Sequence, residues 1–188
     1  MALRVRTTLV AACLLVLACA LPSAALAERA ARGTGGVSMS DPRFAPAKKA
    51  KIVNGVAIAP RSAPPQVKGV IAAANRIVRK PYHYGGGHQK FEDTGYDCSG
   101  SVSYALHGGG LLTAPLDSSS FVKWGLPGAG KWITVYTNPG HAFMMVAGLR
   151  FDTGFPNGQP QGTYPGSGPR WRRPRSANGF AARHPNGL

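Results

Sequence analysis

The chain has 188 residues with 22 lysines and arginines, only seven acidic residues and a formal charge of +15 at pH 7. This excess of positive charge favours an anionic partner, although the same charge also serves simply to keep a protein soluble. After the N-terminal region, no segment is long and apolar enough to cross a bilayer, which excludes a helical membrane protein with several spans.

The N-terminal region is typical of an export signal. Two arginines precede an apolar run from Leu9 to Leu21, and Ala25-Leu26-Ala27 suits cleavage by a signal peptidase. We therefore expect residues 1–27 to be removed and the protein to be secreted or held in the cell wall or periplasm. The alternative is a lipoprotein signal that ends at Cys19, with this cysteine acylated and the protein anchored.

The exported part keeps 20 of the 22 basic residues and all seven acidic ones, so its formal charge is +13. In an exported protein such a charge suits anionic wall polymers or lipid headgroups better than nucleic acid. We expect no nucleic-acid partner. A single domain without internal repeats is expected to be a monomer.

Residues 28–63 are rich in Ala, Gly, Pro, Ser and basic residues and lack a helical or strand period, so we interpret them as a flexible linker or pro-segment. Ordered structure is expected from Pro64-Pro65, and residues 64–188 form the predicted domain. Its first helix starts at Pro65, where proline suits the first turn, and stops before Pro81. The apolar residues that recur at helical spacing are Val67, Val70, Ile71, Ala74 and Val78.

Two short helices follow and then strands. The helices are predicted from Cys98 to His107, capped by Asp97, and from Asp117 to Trp124. The strands are predicted over Trp132–Tyr136, His141–Val146, Leu149–Thr153 and Gly179–His184, the last at the edge of the sheet, with residues 154–178 as a surface loop. Helices followed by an antiparallel sheet make an α+β domain, and about 120 residues suffice for one core.

Cys98 is the only cysteine in the predicted mature chain, so it has no internal disulfide partner. It begins a predicted helix, and a helix N-terminus stabilises a thiolate and offers free backbone N–H groups for an oxyanion. The alternatives are a buried cysteine that only packs in the core and a cysteine that forms a disulfide bridge to another molecule. The flanking Asp97, Ser99 and Gly100 favour a nucleophile, since Ser99 and Gly100 leave the approach to the sulfur uncrowded.

A cysteine nucleophile needs a base and a group that orients the base. His141 opens an apolar strand after Asn138-Pro139-Gly140 and is the best placed histidine. If Ala147-Gly148 is a two-residue turn, Asp152 falls on the same face as His141. Asp152 is therefore the preferred orienting residue, and His184 is its rival.

Three blocks, in order, are Pro81-Tyr82-His83-Tyr84-Gly85-Gly86, Asp97-Cys98-Ser99-Gly100 and Gly140-His141. Together they resemble the NlpC/P60-type family of papain-like cell-wall cysteine peptidases, over about half of the chain. The resemblance implies helices packed on a small antiparallel sheet, with the nucleophile at a helix N-terminus. It also implies hydrolysis of peptidoglycan stem peptides through an acyl-enzyme, commonly between D-glutamate and diaminopimelate.

By this resemblance Cys98 is the nucleophile and His141 the base, while Tyr82, Asp97 and Ser99 bind substrate. Asp152 stands where the family usually has His, Asn or Gln, so its role as orienting residue is a departure from the pattern. No cofactor or metal is implied. The alternatives are an amidase of the same Cys-His class and a catalytically silent basic module that binds the wall.

Two other features attract attention. His83 and His88 stand five residues apart in a glycine loop, but no metal-ligand spacing links them to a third ligand, so we predict no metal site. The segment Arg170–Arg175, with Trp171, matches no motif of the family. It is either a surface that stacks on sugars or bases, or a solvated loop whose Trp171 packs on the sheet, and we favour the loop.

Overall fold

A computed structural model describes residues 49–154 and 167–188. The predicted fold class, an α+β domain with Cys98 at a helix N-terminus and a small antiparallel sheet, is confirmed. The predicted export signal and residues 28–48 lie outside the described residues. In chain order the elements are strands β1 (Lys51–Val53) and β2 (Val56–Ile58), helices α1 (Pro65–Ile77), α2 (Cys98–Gly108) and α3 (Ser118–Phe121), and strands β3 (Leu126–Pro127), β4 (Ile133–Asn138), β5 (His141–Val146), β6 (Leu149–Asp152), β7 (Arg170–Arg172) and β8 (Ala181–His184).

The hairpin β1–β2 shows that ordered structure begins before Pro64, so the start predicted from the sequence is wrong. Asn54 and Gly55 both have positive φ, 50° and 83°, as a two-residue hairpin turn requires. Ala57 exchanges two hydrogen bonds of 2.9 and 2.8 Å with the Asn75 side chain on α1. Asn-Gly between apolar residues is the signal that the compositional interpretation of residues 28–63 overlooked. The role of that segment as a pro-segment stays a prediction.

The three helices follow from their capping residues and apolar spacing. The apolar residues predicted to line α1 are buried, and the helix ends at Ile77, one turn before Pro81. Asp97 caps α2 as predicted, with its carboxylate accepting from the Gly100 N–H. Asp117 caps α3 in the same way, but this helix ends at Phe121 rather than at Trp124.

The six-stranded sheet has the order β3-β8-β4-β5-β6-β7, and every pairing is antiparallel. Ala147 and Gly148 form the turn between β5 and β6, both with positive φ, and Val146 pairs with Leu149. The predicted register is therefore confirmed. Side chains alternate along a strand, so Met144 and Val146 join the core while His141 shares the opposite face with Asp152.

The C-terminal strands differ from the prediction in two ways. Strand β7 lies inside the segment 154–178 that was predicted to be a loop, and its central Trp171 is buried and donates to Asn75. The short strand was not predicted because Trp171 is flanked by arginines and the surrounding segment is rich in proline, which is not typical of a strand. Strand β8 is not at the edge, because the two-residue β3 pairs with its outer side.

Gly100 allows the glycine loop 85–87 to lie against the first turn of α2. A Cβ atom on Gly100 would lie 1.9 Å from the carbonyl oxygen of Gly86. That carbonyl also accepts a hydrogen bond from the Asp97 N–H, at 3.2 Å. Gly100 is therefore required by backbone packing, whereas the sequence interpretation had assigned it to the approach to the sulfur.

We predict that Gly100→Ala destabilises the fold although alanine normally favours a helix over glycine. The added methyl group must displace the Gly86 carbonyl, and overpacking of this kind costs roughly 1–3 kcal/mol. Urea unfolding measures the change. Gly140→Ala is the control, because the nearest atom to its Cβ would be 3.7 Å away. Equal stability of the two variants would contradict the close packing.

Candidate active site

Cys98 is the first residue of α2 and lies at the bottom of a cleft. Its side chain is a free thiol and the residue is 7% exposed, so it is more enclosed than the sequence suggested. The N–H groups of a first helical turn have no partners within the helix. Of these, the Gly100 N–H is engaged by Asp97. The N–H groups of Cys98 and Ser99 make no hydrogen bond within the described residues and are available to an oxyanion.

His141 is held next to Cys98 by the turn that precedes β5. The Asn138 side chain accepts hydrogen bonds from the N–H groups of Gly140 and His141, at 3.0 and 2.9 Å. The imidazole is 5% exposed and packs against the rings of Phe143 and Phe180. It is hydrogen-bonded to Asp152, and the Cys98 thiol is close enough to raise its pKa.

Asp152 is fully buried and orients the imidazole from the end of β6. Its Oδ1 accepts from His141 Nε2 at 3.0 Å and from the Gly154 N–H at 2.8 Å. Its Oδ2 accepts from the Arg150 guanidinium at 3.0 Å. With Nε2 directed at the carboxylate, Nδ1 is the ring nitrogen available to the thiol.

His184, the rival orienting residue, lies elsewhere. Its Nδ1 donates to the Gly128 carbonyl at 3.0 Å, and it pairs with Leu126 of β3. Two strands, β4 and β5, separate β8 from β6. The geometry therefore supports Asp152 rather than His184 as the partner of His141.

The electrostatics favour a charged imidazole. Burial opposes protonation of His141, but the hydrogen bonds to Asp152 and Cys98 outweigh it and raise its pKa to about 9. Burial also opposes ionisation of Asp152, yet its hydrogen bond with His141 and the nearby Arg150 lower the pKa of this carboxyl. At neutral pH the arrangement holds an imidazolium between the Asp152 carboxylate and the Cys98 side chain.

The cleft over Cys98 has a volume of about 310 Å³. Its lining includes Tyr82, Tyr84, Ser118, Pro139 and Gly140. Tyr82 is half-buried, and burial followed by the proximity of Cys98 raises the pKa of its hydroxyl. Tyr82 therefore stays a neutral hydrogen-bond donor beside the sulfur.

Asp97 and Ser99, predicted to bind substrate, line this cleft but are also engaged within the protein. Asp97 Oδ1 accepts from the Gly100 N–H at 2.8 Å, and Oδ2 accepts from the Gly85 N–H at 3.0 Å. The Ser99 hydroxyl lies 3.0 Å from His88 Nε2 and donates to Asp97. Asp97 thus joins the glycine loop to the start of α2. Its contact with substrate stays a prediction.

His88 is a residue of the cleft that sequence reasoning left in a loop without a role. Its Nε2 lies 2.9 Å from Asp97 Oδ1, and this hydrogen bond raises the pKa of His88. No periodicity or motif joins the two residues, so the sequence carried no signal for the pair. Within 49–154 and 167–188, no three His, Cys, Asp or Glu side chains are grouped as metal ligands.

Arg150 is the second residue that the sequence analysis missed. Arg150 and Asp152 are two residues apart on β6, so their side chains lie on the same face of the sheet and are in contact. The alternation that placed Asp152 beside His141 could also have placed Arg150 beside Asp152.

No helix in the described ranges has the length and hydropathy of a membrane span.

Neither the protein-family models nor the curated proteins give a match to this chain. Solved structures do. The chain is similar to the peptidoglycan hydrolase RipB from Mycobacterium tuberculosis, with 20% identity and a TM-score of 0.47, over 63% of this chain and 64% of the other. The match thus spans less than two thirds of the RipB chain.

Two further structures from the same organism are similar to the chain. RipD, described as a non-catalytic NlpC/p60 domain protein adapted to peptidoglycan binding, has 18% identity and a TM-score of 0.47, over 65% of this chain and 98% of RipD. A hypothetical invasion protein has 18% identity and a TM-score of 0.45, over 72% and 71% of the two chains. The description of RipD therefore names the same NlpC/P60 family that the sequence motifs resemble.

We predict that Cys98 is alkylated quickly by iodoacetamide at pH 6, because the His141 imidazolium stabilises its thiolate. In His141→Ala the rate at this pH should fall by at least about tenfold, since the neighbouring cation is lost. Stopped alkylation followed by mass spectrometry gives the rates. His184→Ala is the control and should react like the unaltered protein. Equal rates in the two histidine variants would show that Cys98 and His141 are not paired.

Proposed function

We propose that this chain is a cysteine peptidase that hydrolyses peptide bonds in peptidoglycan stem peptides. The observation that carries the proposal is the arrangement of Cys98, which lines an open cleft, beside His141, which is hydrogen-bonded to the buried Asp152. Nucleophile, base and orienting group in this geometry serve acyl transfer. The substrate class comes from the motifs around Tyr82, Cys98 and His141, which resemble those of NlpC/P60-type peptidases.

The reaction starts from the ion pair. The Cys98 thiolate attacks the carbonyl carbon of the scissile bond, and the N–H groups at the start of α2 donate hydrogen bonds to the oxyanion, with the Tyr82 hydroxyl beside them. The His141 imidazolium then gives its proton to the leaving amine, which leaves an acyl-enzyme. Neutral His141 next takes a proton from water, and the hydroxide attacks the thioester, which releases the acid and the Cys98 thiolate and regenerates the ion pair.

The expected bond is the one between D-glutamate and diaminopimelate, and the expected place of action is outside the cytoplasmic membrane. The N-terminal signal-like segment supports export, and the charge of +13 in the exported part favours contact with anionic wall polymers. An alternative for an NlpC/P60-like fold is binding without catalysis. The intact pairing of Cys98 with His141 favours hydrolysis over binding alone.

Digestion of purified peptidoglycan, followed by mass spectrometry of the products, measures the activity directly. We predict stem peptides cut between D-glutamate and diaminopimelate, and no products from Cys98→Ala. Intact stem peptides released from the glycan would instead indicate an amidase. Binding to peptidoglycan by both proteins, with no products from either, would overturn the proposal in favour of a wall-binding module.

The Asp152 carboxylate is predicted to affect turnover more than substrate binding, because it acts through His141. Asp152→Ala should lower kcat by about two to four orders of magnitude, as in other triads. Asp152→Asn should retain some activity, since its amide oxygen still accepts from the ring. His184→Ala should stay near the unaltered rate. If kcat fell strongly in His184→Ala but stayed at the unaltered value in Asp152→Ala, the assignment of Asp152 as the orienting residue would be wrong.

A further inference from the structure

Two arginines lie close to Asp152, and a third, Arg172, lies on the same face of the sheet. Arg150 NH1 lies 3.0 Å from Asp152 Oδ2, and Arg175 NH1 lies 4.0 Å from the same oxygen. Arg172 of β7 pairs directly with Arg150 of β6, so their side chains share a face. The Arg172 guanidinium also packs over Gly154, whose added Cβ would lie 2.8 Å from it.

The charges in this arginine cluster, Arg150, Arg172 and Arg175, are not balanced. Asp152 is its single carboxylate, and both Asp152 oxygens already accept hydrogen bonds, from His141, Gly154 and Arg150. Guanidinium groups remain charged in proteins. Arg170, the cross-strand partner of Asp152, directs its guanidinium to the carbonyl oxygens of Lys80 and Pro169. The three positive charges of the cluster therefore face one negative charge.

Within residues 49–154 and 167–188, no further carboxylate lies at this place. Of the seven acidic residues, four besides Asp152 lie between Glu92 and Asp117, and they are engaged near the cleft and α2 or exposed there. The last two, Glu28 and Asp41, lie outside the described residues. The sequence from 155 to 166 contains no acidic residue.

The side chains are also held with unused donors. The Nε atoms of Arg150 and Arg172 are buried and make no hydrogen bond within the described residues. Arg175 lies over the rings of Phe143 and Phe180, at 5.6 and 5.9 Å from their centres, which fixes its guanidinium without engaging its N–H groups. The mutual proximity has a cost, since burial and the neighbouring Arg175 and Arg172 lower the pKa of Arg150 while Asp152 opposes them.

We propose that the arginine cluster is a binding site for one oxyanion of the phosphate class. A phosphate dianion matches the excess of two positive charges, and its oxygens can accept from several guanidinium groups at once. A single carboxylate matches only one guanidinium fork and leaves one positive charge unbalanced. Free phosphate supplies both charges in one group, whereas a phosphodiester of an anionic polymer carries one charge, so a polymer would match the excess with two neighbouring groups.

Equilibrium dialysis of the full-length chain against labelled inorganic phosphate, at constant ionic strength set with sodium chloride, tests the site. We expect saturable binding of one phosphate and a thermal midpoint that rises with phosphate concentration. Arg172→Gln should weaken binding by at least about tenfold, because charge-assisted hydrogen bonds are lost. Arg172 is the right position because it does not contact Asp152 or His141 through any hydrogen bond in the described residues.

Arg183→Gln is the matched control. Arg183 is also a half-buried strand arginine with an unbonded Nε, but it lies on β8, away from β6 and β7. It should bind phosphate within about twofold of the unaltered chain, since distant sites act independently. Equal losses in both variants, or no binding beyond that of chloride, would overturn the proposal.

Two further arms define the ligand. A short glycerol-phosphate oligomer that competes with labelled phosphate more strongly, per phosphate group, than inorganic phosphate would identify a polymer as the source. Weaker competition would identify the free ion, and either result supports the phosphate class. Stronger competition by glutamate than by phosphate would contradict it.

Discussion

The buried hydrogen bond between His141 and Asp152 is the interaction on which the site depends. An ionised carboxylate in the interior is costly unless charged or hydrogen-bonded partners compensate it. Asp152 has such partners in His141, Arg150 and the Gly154 N–H. The same bond raises the pKa of His141 above its usual value, so this part of the folding free energy is complete below pH 6.5 and is lost as the pH rises through about 9.

Three local features of the fold bring this pair to Cys98. The Ala147-Gly148 turn sets the register that puts Asp152 level with the start of β5. The Asn138 side chain fixes the backbone of His141. The Asp97 carboxylate starts α2 at Cys98 and joins it to the glycine loop. Each is a short-range arrangement, and together they position a long-range site.

The features predictable from the sequence were those with local signals. Asp97 as a cap was enough to place Cys98 at a helix N-terminus. The two-residue turn before Leu149 and the alternation along β5 and β6 were enough to place Asp152 beside His141. The β1–β2 hairpin was missed although Asn54-Gly55 is a strong local signal, because composition was weighed over a longer window. The pairing of His88 with Asp97 and the packing of Gly86 on Gly100 depend on how distant segments meet, and no local pattern encodes them.

The charge on His141 at neutral pH is the central claim, and nitrogen NMR of its imidazole measures it directly. The account predicts that both ring nitrogens carry a proton at pH 7 and that the ring titrates with a midpoint of about 9. In Asp152→Asn the midpoint should move down, because the carboxylate that stabilises the cation is gone. A neutral ring at pH 7, with a midpoint near the ordinary value of about 6.5 in both proteins, would contradict the account.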